Sequence, residues 1–240
     1  MSFSISNIDF LKDKNVFVFD TETTGLPTKS AQWGTYWNYR MNDKYDSARI
    51  VSIAWSSIKS FDKENIDSTN IKHHLRYPEG FYEIPTTHIH GISFQQALKD
   101  GTPFGLILDI YNLADDLIKT DYILAHNVGF DYHVLMNELY RIVTNKEPTI
   151  PISINIREKA NLCIEHLVSL KSKGCVICTG ELSTDICKME FPNSTYKGKN
   201  KKYKMPKLKE LYHFFYGKEF ENQHSADGDV NALLECLKKM

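Results

Sequence analysis

Apolar residues along the 240-residue chain recur with two different periods, and the changes between them mark out a series of elements. Val16-Phe17-Val18-Phe19 is an unbroken β-branched and aromatic run, the pattern of a strand covered on both faces. Asp20 follows at its C-terminal end, the side of an α/β sheet where active sites gather. Residues 50–55 read as a second strand, 71–77 as a weaker third and 122–125 as a short fourth. Helical spacing governs 104–118 through Phe104, Ile107, Leu108, Tyr111, Ala114, Leu117 and Ile118. It returns over 130–142, 158–170, 206–216 and roughly 226–238, and Pro206 can start the fourth of these five helices while Gly217 can stop it. Residues 78–93, with Gly80, Pro85 and Gly91, read as a loop that carries His88 and His90. The stretch 171–204 mixes cysteine, glycine and lysine without a clear period.

Composition bounds the picture. A hydrophobic content of 42% with 12% aromatics suffices for a sizeable core, and 25% charged residues is ordinary for a soluble chain. One domain over 1–240 is expected, enlarged by insertions at about 27–48 and 171–204. A formal net charge of −1 gives no global pull toward a polyanion, so any attraction for phosphate must come from local patches or bound metal. One patch runs through Lys197, Lys199, Lys201, Lys202, Lys204, Lys207 and Lys209, and reads either as a solvated loop or as a phosphate-contacting strip. Residues 1–15 lack the apolar core of a signal peptide, and no apolar run is long enough to span a bilayer. No membrane partner is expected, and an intracellular location, cytoplasmic or nuclear, is. Five cysteines, Cys163, Cys175, Cys178, Cys187 and Cys236, suit a reducing compartment. Cys175-x-x-Cys178 with Cys187, and Cys163 or His166 as a fourth ligand, invites a zinc reading, but the spacing matches no strong zinc pattern and free thiols are expected.

The chemistry concentrates in four acids and one histidine. Asp20 and Glu22 lie two apart on an extended segment, so both carboxylates point to one side, where they repel each other unless a cation lies between them. Asp131 sits on the helical stripe of Val134, Leu135, Leu139 and Ile142. Asp229 heads the stripe of Ala232, Leu233, Cys236 and Leu237, although Asp227 with Val230 and Leu234 forms a competing stripe. Both acids fall near helix starts, where backbone dipoles favour negative charge. Hard oxygen ligands of this kind favour Mg²⁺ or Mn²⁺, and four acids suit two such ions, the arrangement that clamps an in-line displacement at phosphorus. His224, just before the last helix, is the natural general base.

Asp20-x-Glu22, Asn127-x-x-Phe130-Asp131 and His224-x-x-x-x-Asp229 resemble, in order, the three motifs of the DEDDh group of 3′-to-5′ exonucleases. That group includes the proofreading epsilon subunit of bacterial DNA polymerase III, the animal three-prime repair exonucleases and oligoribonuclease. The run from Phe19 to Leu26 resembles the epsilon-type first motif, that from His224 to Val230 is similar to the repair-exonuclease third motif, and Ile89-His90-Gly91-Ile92 resembles a segment common between the first two. The likeness spans 16–237.

The resemblance implies an α/β fold: a ribonuclease H-like mixed five-stranded sheet flanked by helices, three strands antiparallel and the rest parallel, the fifth falling between 151 and 185. It implies two Mg²⁺ or Mn²⁺, with Asp20 bridging both, Glu22 and Asp229 completing one site and Asp131 anchoring the second through water. His224 would deprotonate the water that attacks the terminal phosphodiester, releasing nucleoside 5′-monophosphates. Thr23, Thr24, Gly25 and Leu26 would line the cleft for the last nucleotide, Asn127 and Phe130 would shape its floor, and His90 is a further candidate for substrate contact. The spacing from His224 selects Asp229 over Asp227. The motif wording leans toward DNA with single-stranded or frayed 3′ ends, hence DNA repair or replication proofreading, for which a DNA polymerase would be the partner; RNA is the alternative substrate.

Blander readings stand beside these. Trp33, Tyr36, Trp37, Tyr39 and Tyr45 could stack unpaired bases or simply pack a long loop onto its own domain. His88 and His126 suit structural or surface roles. A haloacid dehalogenase-type phosphatase would share the Asp20-x-Glu22-x-Thr24 run but wants aspartate where the chain has Glu22. A catalytically idle nucleic-acid-binding module is disfavoured because all five chemical positions are filled.

Overall fold

The computed structural model describes residues 8–30, 35–145, 150–191 and 203–240. Strand β1, Val16–Thr23, pairs antiparallel with β2, Ile50–Ile58, and β2 pairs antiparallel with β3, Lys72–Leu75. On the other side β1 runs parallel to β4, Tyr122–Ala125, and β4 to β5, Val176–Cys178. The strand order is β3-β2-β1-β4-β5, with helices on both faces, the architecture implied by the resemblance; β5 falls inside the window set for it.

Asp20 lies mid-strand and not at the strand's end as the apolar run suggests, because the polar residues after Phe19 keep their pairing with β2 through Thr23. Alternation along β1 feeds two cores. Phe17 and Phe19 join one with helices α3 (Phe104–Asp109), α4 (Leu113–Ile118), α5 (Val128–Thr144) and α6 (Ile154–Ser172), while Val16 and Val18 join another with α10 (Ala226–Leu237). Asp20 and Glu22 therefore face α10, and Thr21 faces α5. The parallel pairing with β4 reaches only Val18, so the last part of β1 borders a crevice where α5 begins.

Several expectations change. The single helix expected over 104–118 is two, broken where Asn112 takes a left-handed φ of 62°, and Tyr111 at the break is exposed rather than on the buried stripe. The expected loop over 78–93 contains a short helix, α1, Thr87–His90, and runs into α2, Phe94–Asp100, started by Ser93, whose side chain accepts from Gln96 N–H. The stretch 171–204 holds β5 and two short helices, α7, Thr179–Leu182, and α8, Thr184–Cys187. Helix α9 covers Leu208–Tyr216. Its Glu210 accepts from Lys204 Nζ at 2.6 Å and from the Lys207 backbone N–H at 2.8 Å, so the lysine strip meets an acid in space. Trp33, Lys197, Lys199, Lys201 and Lys202 lie outside the described residues. No described helix is long and apolar enough to cross a membrane.

One buried charge cluster ties helix to sheet. Glu138, one heptad after Asp131 on α5, is 1% exposed and accepts from Arg49 Nε at 2.7 Å and from Ile50 N–H at 3.2 Å, with Arg76 Nη1 2.6 Å away. Arg49 in turn exchanges bonds with Thr24: its N–H donates to Thr24 Oγ1 at 3.0 Å and its carbonyl accepts from Thr24 N–H at 2.9 Å. Burial pushes the Glu138 carboxyl up, but the two guanidiniums outweigh burial and hold it well below the usual carboxylate range. Its contribution to stability is thus present above the ordinary glutamate value and fades as pH falls below it. Replacing Glu138 with alanine strands two buried guanidiniums, and denaturant unfolding should show a loss of about 3–5 kcal/mol; a loss under about 1 kcal/mol would mean that the cluster is not a pinned network.

Candidate active site

The three acid-bearing stretches arrive from β1, α5 and α10. Asp20 and Glu22 come on one face of β1. Asp229 comes on the first turns of α10, which the chain enters through two left-handed residues, Asn222 (φ 57°) and His224 (φ 64°). Gly228 is required there: a Cβ would stand 2.3 Å from the Asn222 carbonyl oxygen. Carboxylate oxygens of Asp20, Glu22 and Asp229 lie within 4.8 Å of one another. Asp131, on the α5 side, stands outside that triad and is held by Thr21, whose N–H donates to its Oδ1 at 3.1 Å and whose hydroxyl donates at 2.7 Å. A Thr21 amide that a longer β4 would have paired is thus spent on Asp131. Sequence reasoning missed Thr21, although the alternation of β1 places it opposite the acids that flank it.

The electrostatics are those of crowded like charges. Burial, then the charges of Asp131, Asp229 and Glu22, push Asp20 well above the ordinary carboxylate range. Glu22 is pushed up to about 8 by burial and then by Asp229 and Asp131. Burial lifts Asp131 to about 7 against the opposing bonds from Thr21, and lifts Asp229 to about 7 against the bond it accepts from the His224 backbone N–H. Among the described residues no lysine or arginine forms an ion pair with any of the four. Oxygen-only donors, converging and uncompensated, fit a hard divalent cation such as Mg²⁺ or Mn²⁺.

Of the two acids that begin α10, Asp229 stands in the carboxylate group. Asp227 turns away, accepting from the Ser225 hydroxyl and pairing with His73 Nδ1 at 3.5 Å. The His224 ring is exposed and outside the carboxylate group; its backbone, rather than its ring, touches Asp229.

Thr24, Gly25 and Leu26 edge a cleft of about 560 Å³ that also meets Ser47, Phe81 and Tyr82, while Thr23 lies buried behind it. Gly25 is forced, since a Cβ would lie 2.8 Å from the Ser47 carbonyl oxygen, and Leu26 is 72% exposed. Asn127 precedes α5 in a left-handed conformation, while Phe130 packs partly buried against the core. His90 spends both ring nitrogens inside the chain: Nδ1 accepts from Ile92 N–H at 3.1 Å, and Nε2 meets the Thr86 hydroxyl at 2.9 Å, which itself donates to the Thr23 carbonyl. It braces Thr23, leaving no ring nitrogen for the substrate contact expected of it. His126 bonds the Pro206 carbonyl and Thr179, and His88 the Pro85 carbonyl, both structural. The five cysteines are free thiols, and the metal-holding group found among the described residues draws on none of them.

Residues 17–237 match the RNase T family model, described as an exonuclease. The chain belongs to this exonuclease family. A solved structure, that of a moderately thermophilic Exonuclease I from Methylocaldum szegediense, is similar at 14% identity and a TM-score of 0.36, over 67% of this chain and 41% of that one. The chain thus spans less than half the length of that protein. No curated protein matches the chain.

Raised carboxyl values fix a sign. In chelator the folded chain holds protons that the unfolded chain has lost, so the stability these groups contribute is present below about pH 4 and is lost as pH rises toward about 8. Asp20→Asn should therefore melt above the parent at pH 8 in chelator, with a smaller difference at pH 5, and should lose the stabilisation that Mg²⁺ gives the parent. A pH-independent difference would contradict the crowding.

Proposed function

We propose that the chain is a DEDDh-type 3′-to-5′ exonuclease that releases nucleoside 5′-monophosphates from the 3′ end of DNA, with single-stranded or frayed ends preferred. The observation that carries this reading is the convergence of Asp20, Glu22 and Asp229, with Asp131 beside them, in a chain of the exonuclease family. Asp20, Glu22 and Asp229 would hold one divalent ion, and Asp20 with Asp131 a second. Bound there, such ions supply Lewis-acid stabilisation of the charge that develops at phosphorus and lower the pKa of the attacking water.

The chain's own groups do the rest. His224 stands on a tight turn at the edge of the acid group, exposed enough to meet a water above it, and takes the proton of that water. Thr24 and Gly25 are fixed by Arg49 and Ser47, so their backbone offers a rigid wall for the terminal nucleotide, and exposed Leu26 lies where its base would rest. Asn127 and Phe130 would shape the floor of the cleft. RNA with the same polarity is the second reading; the choice depends on contacts to the 2′-hydroxyl, and the DNA preference follows the wording of the first and third motifs.

Digestion of matched 3′- and 5′-labelled DNA and RNA strands with Mg²⁺, Mn²⁺ or chelator tests this. A 3′ label should leave at once as a mononucleotide, a 5′ label should shorten as a ladder, and chelator or Asp20→Ala should stop both. His224→Ala should retain metal binding while turnover falls on the order of 10²–10⁴-fold; equal turnover would remove His224 as the base. Binding without cutting would indicate the idle module, and phosphate released from a small monoester beside an intact oligonucleotide would indicate a phosphatase.

A further inference from the structure

The described aromatics of the 27–48 stretch differ in how far they are buried. Tyr45 is fully buried and donates its hydroxyl to the Trp37 carbonyl, and Tyr39 packs edge-on against Tyr140. Those contacts anchor the loop. Tyr36 and Trp37 remain half-exposed on the wall of a cleft of about 380 Å³ between the insertion, α5 and α6, which Tyr132, His133 and Lys171 complete.

Three features indicate what this cleft would take. Among the described residues its lining contains no carboxylate, whereas each of the four other clefts described has at least one, among them Glu138, Glu219, Asp62 and Asp46. Its cation, Lys171, stands 4.6 Å from the Tyr132 ring centroid and 3.1 Å from His133 Nε2, which rules against a cationic guest and favours an anionic one. Finally, the cleft adjoins the acid group through Tyr36. That ring stacks on His133 at 4.8 Å and 16°, its hydroxyl hydrogen-bonds with Asn127, and burial followed by the Asp131 charge pushes it up. Gly129 makes room, since a Cβ would lie 3.0 Å from the Tyr36 ring.

Resting on the exonuclease reading, we propose that this slot holds an unpaired nucleotide of the substrate strand upstream of the terminal one, its base on the aromatic wall and its phosphate toward Lys171. A base still paired in a duplex cannot enter. Stacking of this kind is tolerant of sequence, so the slot would favour single-stranded length and no particular base.

The test measures binding of fluorescein-labelled oligothymidylates of two and eight nucleotides by anisotropy in Ca²⁺, with turnover in Mn²⁺ alongside. In the parent the longer strand should bind more tightly and quench tryptophan fluorescence. Lys171→Glu, at an exposed position, and Trp37→Ala should each cut the advantage of the longer strand about tenfold. Lys171→Glu should also reduce the salt dependence by about one ion. Circular dichroism and melting temperature of both variants report whether the fold is retained, and Lys171→Gln repeats the charge test if either variant is unstable. Folded variants that keep the full length advantage would overturn the slot even if cleavage proceeds. A length advantage that both variants reduce, beside a parent that cuts nothing, would support the slot while contradicting the proposed hydrolysis.

Discussion

Mutual repulsion among Asp20, Glu22, Asp131 and Asp229 is the constraint around which the rest of the fold is arranged. Neighbouring carboxylates this close and this buried do not coexist as anions without a compensating charge. The chain holds them together through structure that is stiff for independent reasons. β1 is inserted between β2 and β4 and covered on both faces, so alternation alone sends Asp20 and Glu22 toward α10 and Thr21 toward α5. Thr21 then fixes Asp131, and the glycine at 228 lets α10 start close enough for Asp229 to join.

A second, compensated charge cluster supports the first. Glu138 with Arg49 and Arg76 links α5, which carries Asp131, to β2 and, through Thr24, to the loop after β1. The contrast between the clusters is physical: one has its counter-charges inside the protein, while the other brings oxygens together and has no ion-paired cation among the described residues. Stability resides in the first, and the capacity to bind a cation in the second. The acid group belongs to a member of the exonuclease family, and metal-assisted phosphodiester hydrolysis is chemistry such a group can perform.

Much of this was legible in the sequence because it rests on local pattern. The Val16–Phe19 run, the short β4 and the apolar stripes of α5 and α10 all lie where their periods place them, and the acids on those stripes turn inward accordingly. What stayed hidden depends on distant partners. The unbroken polar run from Asp20 to Thr23 conceals a strand that β2 pairing continues. Asn112 breaks a helix whose two halves keep one periodic stripe, and Ser93 with Gln96 was a capping signal that could have exposed α2. Thr21, Tyr36 and the tight fit at Gly129 follow from contacts across the fold, and His90 resembles a substrate contact in sequence yet is used to brace Thr23.

Whether the acids share a cation is open to direct measurement. Calorimetric titration of the metal-free protein with Mn²⁺ at pH 7, in two buffers of different ionisation enthalpy, measures both binding and the protons it displaces. With Asp131 and Asp229 raised to about 7, binding should release protons and give different heats in the two buffers, and Asp229→Asn should lose it. Identical heats in both buffers, with affinity unchanged in Asp229→Asn, would contradict a cation held by these carboxylates.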